Sequence, residues 1–269
     1  MITSLRNPRV QEAVRLREAR SRRKMRRILI DGSSELRRAI AAGVNIEVLF
    51  YCPELCRDDV LSSFVQSLAK IESNNAPAEL LEVSESVFAK LSFGHRAEGF
   101  VAVASEPQRT LDDLRLPAMP LVAVLEGVEK PGNVGAVLRS ADGAGIDAVI
   151  VADPCTDLYN PNAIRASLGT IFSIPVVQAT SAEAFAWLVR LGVQIVAARV
   201  DGNISYTSVD LRQPTAFVLG SEADGLSALW HVKEVTTVSL PMLGSADSLN
   251  VSAAAAVLFY EARRQRGGK

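Results

Sequence analysis

The sequence predicts an α/β protein of two domains, and three observations carry that prediction. From residue 121 onward, continuous apolar runs such as "LVAVLEGV" (121–128) and "DAVIVAD" (147–153) alternate with helical patterns. Such alternation marks a parallel sheet covered on both faces. Residues 1–105 alternate shorter strands and helices around a strongly basic start. Between the two lies "EPQRTLDDLRLPAMP" (106–120), with three prolines and alternating charge, the pattern of a connection. The expected division is a small α/β domain over 1–105, a linker over 106–120 and a second domain over 121–269. At 269 residues and 48% hydrophobic, the chain is long enough to bury two cores.

Taken in order, residues 6–24 place Val10, Val14 and Leu16 among arginines, which predicts one helix with a narrow apolar stripe and a broad cationic face. "ILIDG" (28–32) reads as a strand, "SSELRRAIAAG" as a capped helix closed by Gly43, and "IEVLFY" as a second strand. A helix over Asp58–Ile71, the strand "AELLEVS", a helix through Val87–Leu91 and the strand "GFVAVAS" (99–105) complete the small domain. In the second domain, a helix from about Val134 to Gly145 follows the first strand, with Asn133 as its N-cap. A loop and short helix lead from "DAVIVAD" to the strand "SIPVVQA" and the helix "SAEAFAWLVRLG". Three strands, "VQIVAARV", "TAFVLG" and "TTVSLP", precede the closing helix, which begins near Val251.

A net charge of −1 hides a local asymmetry. Arg15, Arg17, Arg20, Arg22, Arg23, Lys24, Arg26 and Arg27 face only Glu18 within their stretch, so the front of the chain is suited to phosphates. Cys52, Cys56 and Cys155 form no CxxC pair and His95 and His231 lie far apart, so neither a disulfide framework nor a metal site is expected. No apolar run reaches the length of a membrane span, and Arg6 and Arg9 interrupt any leader-like stretch; a cytoplasmic protein is expected.

Three loops follow strands of the second domain, where ligands bind in open parallel sheets. They are "EGVEKPGNVGAVLRSADGAG" (126–145), "VLGSEADGLS" (218–227) and "LPMLGSADSLNVSAAAA" (240–256). Each has an ordinary reading: a strand-to-helix turn, a helix start and an N-cap by Ser248 or Asn250. None forms GxGxxG, a P-loop or GxSxG, so dinucleotide, nucleotide-hydrolase and esterase readings are weak.

Order and spacing change this. N-x-G-x-x-x-R in the first loop, G-S-E-x-x-G in the second and "LPM…SLNVSAAAA" in the third together resemble the three motifs of the SpoU (TrmH) family of RNA ribose 2'-O-methyltransferases, within the SPOUT superfamily. The resemblance is strong over 120–264. The stretch from Thr3 to Gly43 also looks like the small RNA-binding domain that many members carry in front.

The resemblance implies a deep trefoil knot in the C-terminal domain, S-adenosyl-L-methionine as cofactor, a homodimer, and an RNA substrate, ribosomal or transfer. It assigns backbone contacts with the cofactor to Gly220, Leu240 and Leu249, and places Ser248 and Asn250 in the pocket or facing the reacting ribose. Arg139 matches the motif-one arginine. Because a guanidinium stays protonated near neutral pH, Arg139 is expected to orient a phosphate and stabilise a developing alkoxide, with a base role left open. Glu222 is the candidate proton acceptor, directly or through water. Asn133 orients Arg139 or the ribose, and Arg165, in "IRASLG", binds a phosphate near the site. RNA contacts are expected from Arg15, Arg20, Arg22, Arg23, Lys24, Arg26 and Arg27. His95, in "SFGHRAEGF", is expected to be structural.

Two other functions compete: an RNA-binding protein of the same fold without catalysis, and a nicotinamide-dependent oxidoreductase. The first is disfavoured by the joint presence of Asn133, Arg139, Glu222, Ser248 and Asn250, the second by the missing glycine turn.

Overall fold

The computed structural model describes residues 1–70, 77–93 and 98–267, so His95 lies outside the described residues. The chain forms two compact units, one of Met1–Pro107 with Tyr159–Ser173 and one of Gln108–Leu158 with Ile174–Lys269. The chain first crosses between them at Pro107, inside the proline-rich stretch. The segment 159–173, which the sequence reading assigned to the second domain, belongs to the first unit.

The first unit opens with α1 (Pro8–Arg15) and α2 (Ala19–Met25), then β1 (Arg27–Asp31), α3 (Ser33–Ala41), β2 (Ile46–Tyr51), α4 (Asp58–Lys70), β3 (Glu79–Glu82), α5 (Glu85–Leu91) and β4 (Phe100–Ser105). Its sheet has the order β1-β4-β2-β3, antiparallel at β1/β4 and β4/β2 and parallel at β2/β3. Val10, Leu16, Leu29, Phe50, Phe88 and Val101 form part of one buried cluster, so α1 and α5 pack on the same sheet face. The single helix expected over 6–24 is two. Asn7 caps the first, accepting from the Arg9 N–H at 2.9 Å, and Pro8 occupies its first turn. The break follows from tertiary demands: Arg17 donates to the carbonyls of Lys90 (2.7 Å) and Ser92, and buried Arg22 folds back to donate to the Leu16 carbonyl at 2.6 Å. Arg26, at φ 53°, then ends α2 in the left-handed region.

The second unit runs through β5 (Leu121–Glu126), α6 (Pro131–Ala144) and β6 (Ala148–Ala152). The next two helices, α7 (Pro161–Ala166) and α8 (Thr170–Ser173), belong to the first unit. The second resumes with β7 (Val176–Ala179), α9 (Ser181–Leu191), β8 (Gln194–Ala198), β9 (Ile204–Ser205), β10 (Thr215–Leu219), β11 (Val235–Ser239) and α10 (Val251–Gln265). All seven strands are parallel, in the order β7-β6-β5-β10-β8-β11-β9. The two-residue β9 is absent from the sequence reading.

Both faces of this sheet are covered, as the continuous apolar strands require. Val122, Val124, Ile150, Ile195 and Val218 pack with Ala184, Trp187 and Leu188 of α9. The alternate residues are also buried, and Phe217 meets Phe259 of α10 with ring centroids 5.8 Å apart. Helices α6 and α10 lie against each other, with the Tyr260 hydroxyl over Gly143, where a Cβ would collide with it. The register Leu125↔Leu219 puts the chain leaving β5 beside the chain leaving β10, which sets up the site.

Candidate active site

The loops after β5, β10 and β11 meet around one carboxylate. Helix α6 starts three residues earlier than expected, with Lys130 as N-cap and Pro131 at the first helical position, so Asn133 sits in the first turn rather than capping it. From there the Asn133 amide donates to Glu222 Oε1 at 2.8 Å. Lys130 Nζ pairs with Glu222 Oε2 at 2.6 Å. Asn250 Nδ2 also donates to Glu222 Oε1 and lies 3.4 Å from Asn133 Oδ1.

Asn250 thereby does two jobs with opposite ends of one amide. Its Oδ1 caps α10, accepting from the Ser252 N–H at 2.9 Å and the Ser252 hydroxyl at 2.6 Å, while its NH2 ties that helix start to Glu222. The capping reading of this residue is realised, and the other end of the same amide joins the third loop to the second. Lys130, foremost by its hydrogen bond, holds the Glu222 carboxyl below the usual carboxylate range. An ionised carboxylate whose two oxygens already accept three bonds serves as an organiser of loops better than as a proton acceptor.

Beside this cluster, at the carboxyl ends of β8, β10 and β11, lies a cavity of about 430 Å³. Leu219, Gly220, Leu226, Leu240, Met242, Leu249, Val251 and Ala254 give it an apolar lining, and Asp201, Glu222, Asp224, Asp247 and Ser248 add oxygens. Gly220 is required for a reason other than ligand approach. Its chain turns into a small hairpin, with Ser221 and Gly225 exchanging backbone hydrogen bonds at 3.2 Å, and a Cβ at 220 would run into the Gly225 carbonyl. Gly225, at φ 67°, supplies the turn.

Of the residues selected from sequence, Gly220, Glu222, Leu240, Ser248 and Leu249 line this cavity. Asn133 and Asn250 stand beside it through Glu222. Arg139 lies on α6, exposed, outside the cavity lining and without an ion pair or hydrogen bond among the described residues. Lys130 was missed, although its place directly before Pro-Gly-Asn marked it as the loop's last residue. Arg199 and Asp201, a bidentate pair at 2.7 and 2.8 Å, also line the cavity from the loop after β8, which carries no motif.

Three of the expected phosphate-binding arginines are engaged within the protein. Arg22 is only 2% exposed, its guanidinium turned inward to the Leu16 carbonyl. Arg27 bridges Glu12 and Glu47, the latter at 2.6 Å. Arg165 belongs to the first unit and pairs with buried Asp31 at 3.4 Å. Arg15, Arg20, Arg23 and Lys24 are exposed, and so is Arg26, which also has a partner within the protein.

Among the described residues, no group of three or more His, Cys, Asp or Glu side chains is placed to hold a metal ion, and no helix is long and apolar enough to cross a membrane. A parallel α/β unit with a ligand-sized, partly apolar cavity at its strand ends, carried with a smaller basic α/β unit, defines the class of α/β proteins that bind a small ligand at the carboxyl ends of their strands.

Comparison with known proteins narrows the class. Residues 120–260 match the SpoU rRNA Methylase family, and residues 7–102 match the MRM3-like substrate binding domain. A 23S rRNA (uridine(2479)-2'-O)-methyltransferase of Streptomyces viridochromogenes is 32% identical over 272 residues, covering 98% of this chain and 92% of its own. The crystal structure of an RNA 2'-O ribose methyltransferase superposes with a TM-score of 0.83 at 42% identity, over 98% of both chains. The AdoMet-bound rRNA methyltransferase from Sinorhizobium meliloti gives a TM-score of 0.87 at 27% identity, over 98% of this chain and 97% of that one. The chain belongs to the SpoU rRNA methylase family.

Proposed function

We propose that this protein transfers a methyl group from S-adenosyl-L-methionine to a ribose 2'-hydroxyl of ribosomal RNA. The observation that carries this is the convergence of three separated loops on Glu222 at the rim of a single cavity. The rRNA-directed activity of the relatives supports the substrate class over tRNA. The cavity fits the cofactor: its volume lies in the range of small-molecule sites, and its lining pairs aliphatic side chains and backbone for a flat base with carboxylates suited to a cationic ligand. The bound cofactor supplies an electrophilic methyl group on a sulfonium.

The chain's own contribution is placement. Holding two reactants in line lowers a barrier by up to about 7–11 kcal/mol in favourable cases. Lys130, Asn133 and Asn250 fix Glu222, and Glu222 in turn fixes the starts of α6 and α10. In this reading Glu222 organises the site, and Arg139 orients the nucleotide phosphate and stabilises the 2'-oxygen as it takes the methyl group and gives its proton to solvent water. Exposed Arg15, Arg20, Arg23, Lys24 and Arg26 hold the RNA backbone.

Three further features belong to the same proposal. The exposed, unpaired position of Arg139 on α6 fits a site completed across a homodimer, and α10, with Tyr260 exposed beside Gly143, offers the adjoining surface. Insertion of β10 between β5 and β8 is compatible with a C-terminal trefoil knot. With ribosomal RNA as its substrate, a cytoplasmic protein belongs to the same proposal.

Arg139→Ala tests the mechanism. Methyl transfer to ribosomal RNA is expected to fall at least a hundredfold while calorimetry gives the wild-type affinity for S-adenosylmethionine. Full activity in the variant removes Arg139 from the mechanism. Mapping 2'-O-methyl sites in total RNA from cells with and without the protein tests the activity itself: loss of one ribosomal site is expected, and an unchanged map refutes it.

A further inference from the structure

Glu126 is a buried carboxylate that opens the first loop and lies outside its N-x-G-x-x-x-R pattern. It is the last residue of β5, 6% exposed, and four donors converge on it: the Ser181 hydroxyl at 2.6 Å, the Ser227 N–H at 2.7 Å, the Ser227 hydroxyl at 2.8 Å and the Trp230 indole N–H at 2.8 Å. Burial raises its carboxyl pKa, yet the bonds from Ser181, Ser227 and Trp230 outweigh burial and hold it below the usual range. A carboxylate accepts all four at once, and on each of its two oxygens it meets an N–H group, of Ser227 or of Trp230, that can only donate.

Three of those four bonds come from one segment. The chain leaves β10 at Gly220, forms the Ser221–Gly225 hairpin, lines the cavity through Leu226 and then reaches Ser227 and Trp230. Its first end is held by β10, which pairs with β5 up to Leu125↔Leu219. Its far end is held by Glu126. Among the described residues, no other side chain bonds to Ser227 or Trp230.

We infer that Glu126 is a positioning residue for cofactor binding: from beneath the sheet ends it anchors the 220–230 loop in the shape that forms the cavity wall. The inference rests on the reading that this cavity holds S-adenosylmethionine. Removing the carboxylate leaves buried donors facing no acceptor, so the loop's far end separates from β5 and the wall loses its fixed form. Glu126 does not line the cavity, and Glu222 in the same loop is held separately by Lys130, Asn133 and Asn250, so the effect falls on cofactor binding before chemistry.

The test uses the full-length protein. Glu126→Gln keeps the volume but turns an NH2 toward donors. Its Kd and KM for S-adenosylmethionine, measured well below the unfolding temperature, are expected to rise about tenfold, with kcat at saturating cofactor within twofold of wild type. Ser181→Ala removes a bond from α9 rather than from the loop and serves as the structural control; it is expected to lower the unfolding temperature and leave Kd unchanged. Leu249→Arg, which puts a cation at an exposed wall position of a cavity read as holding a cationic ligand, tests the underlying reading and is expected to weaken binding. Unchanged Kd in Glu126→Gln alongside weakened binding in Leu249→Arg overturns the inference alone. Unchanged Kd in Leu249→Arg overturns the cavity reading and the inference with it. An equal rise in Ser181→Ala also overturns it, since the effect is then general. Should Glu126→Gln fail to fold, Ser227→Ala replaces it, with an expected Kd rise of about threefold, and an unchanged Kd there overturns the inference.

Discussion

At the scale of single residues, Asn250 separates structure from function within one side chain. Its oxygen caps α10 and its nitrogen bonds Glu222, so two substitutions split the roles. Asn250→Asp keeps the capping oxygen and puts a negative charge against Glu222. It is expected to retain the unfolding temperature within a degree or two and to lose most methyl transfer. Asn250→Ala removes both and is expected to lose about 1 kcal/mol of stability as well, the usual worth of a cap. Equal activity in the two variants with equal stability contradicts the split. Asp31 makes a prediction of a different kind. Burial pushes its carboxyl up to about 6, against Phe93 N–H and Arg165, with Glu35 and Glu98 adding to the rise. The folded state therefore holds this proton more tightly than the unfolded chain, whose carboxyl titrates near 3.8. The stability it contributes is full below that value and lost as pH rises through about 6. Relative to Asp31→Asn, the wild-type first unit is expected to gain stability as pH falls from 7 to 4, by at most about 3 kcal/mol. Hydrogen exchange of β1 and β4 amides in both proteins measures it, and a difference that does not vary with pH contradicts it.

At the scale of elements, legibility follows the range of the forces involved. The strands of the second unit could be read because a parallel strand buried on both faces is apolar at every position, a local signal. The break between α1 and α2 could not, because the residues that receive Arg17, Lys90 and Ser92, stand more than seventy positions away. The start of α6 was misread although Pro131 announces a first helical position; the polar Asn133 drew the cap assignment, and its amide is used instead across the site. The three motif loops were legible by spacing. That Glu222 is their shared acceptor, and Lys130 its partner, depends on the sheet order β5-β10-β8-β11, which no local pattern records. The same distinction sorts the basic helices. Arg22 and Arg27 are internal partners, whereas Arg20, Arg23 and Lys24 are exposed on α2. Replacing those three with Gln is expected to weaken RNA binding and flatten the slope of log K against log salt by up to about 2, with an unaltered unfolding temperature. Replacing Arg22 with Gln is expected to do the reverse, losing stability through an unfilled buried position while leaving the salt slope intact. An unchanged slope in the triple variant reduces the α2 face to a solvated surface.

At the scale of the whole molecule, chain order and compact units do not coincide. The first unit takes Met1–Pro107 and then, after about fifty residues of the second, Tyr159–Ser173. That late segment is bound into the first unit by specific contacts. Arg165 pairs with Asp31, Arg38 donates to the Leu168 carbonyl at 2.6 Å, and Gly169, at φ 80°, lies so close to the Glu35 backbone that a Cβ would collide with it. Leu168 itself is held at φ 52°, a conformation that costs an ordinary side chain of order 1 kcal/mol and persists where surroundings enforce it. A fragment of residues 1–107 therefore lacks part of its own fold, although it contains every strand of its sheet. It leaves the Asp31 carboxylate without its guanidinium partner and the α3 surface that meets α8 uncovered. The fragment is expected to unfold at markedly lower urea than the same unit in the full chain, read by hydrogen exchange at β1 and β4. Adding a peptide of residues 159–173 in trans is expected to restore part of the difference, and Arg165→Gln in that peptide to weaken the rescue. A fragment as stable as the unit in the intact chain would mean that the late segment merely rests on a finished fold, and the interleaving would then have no energetic consequence.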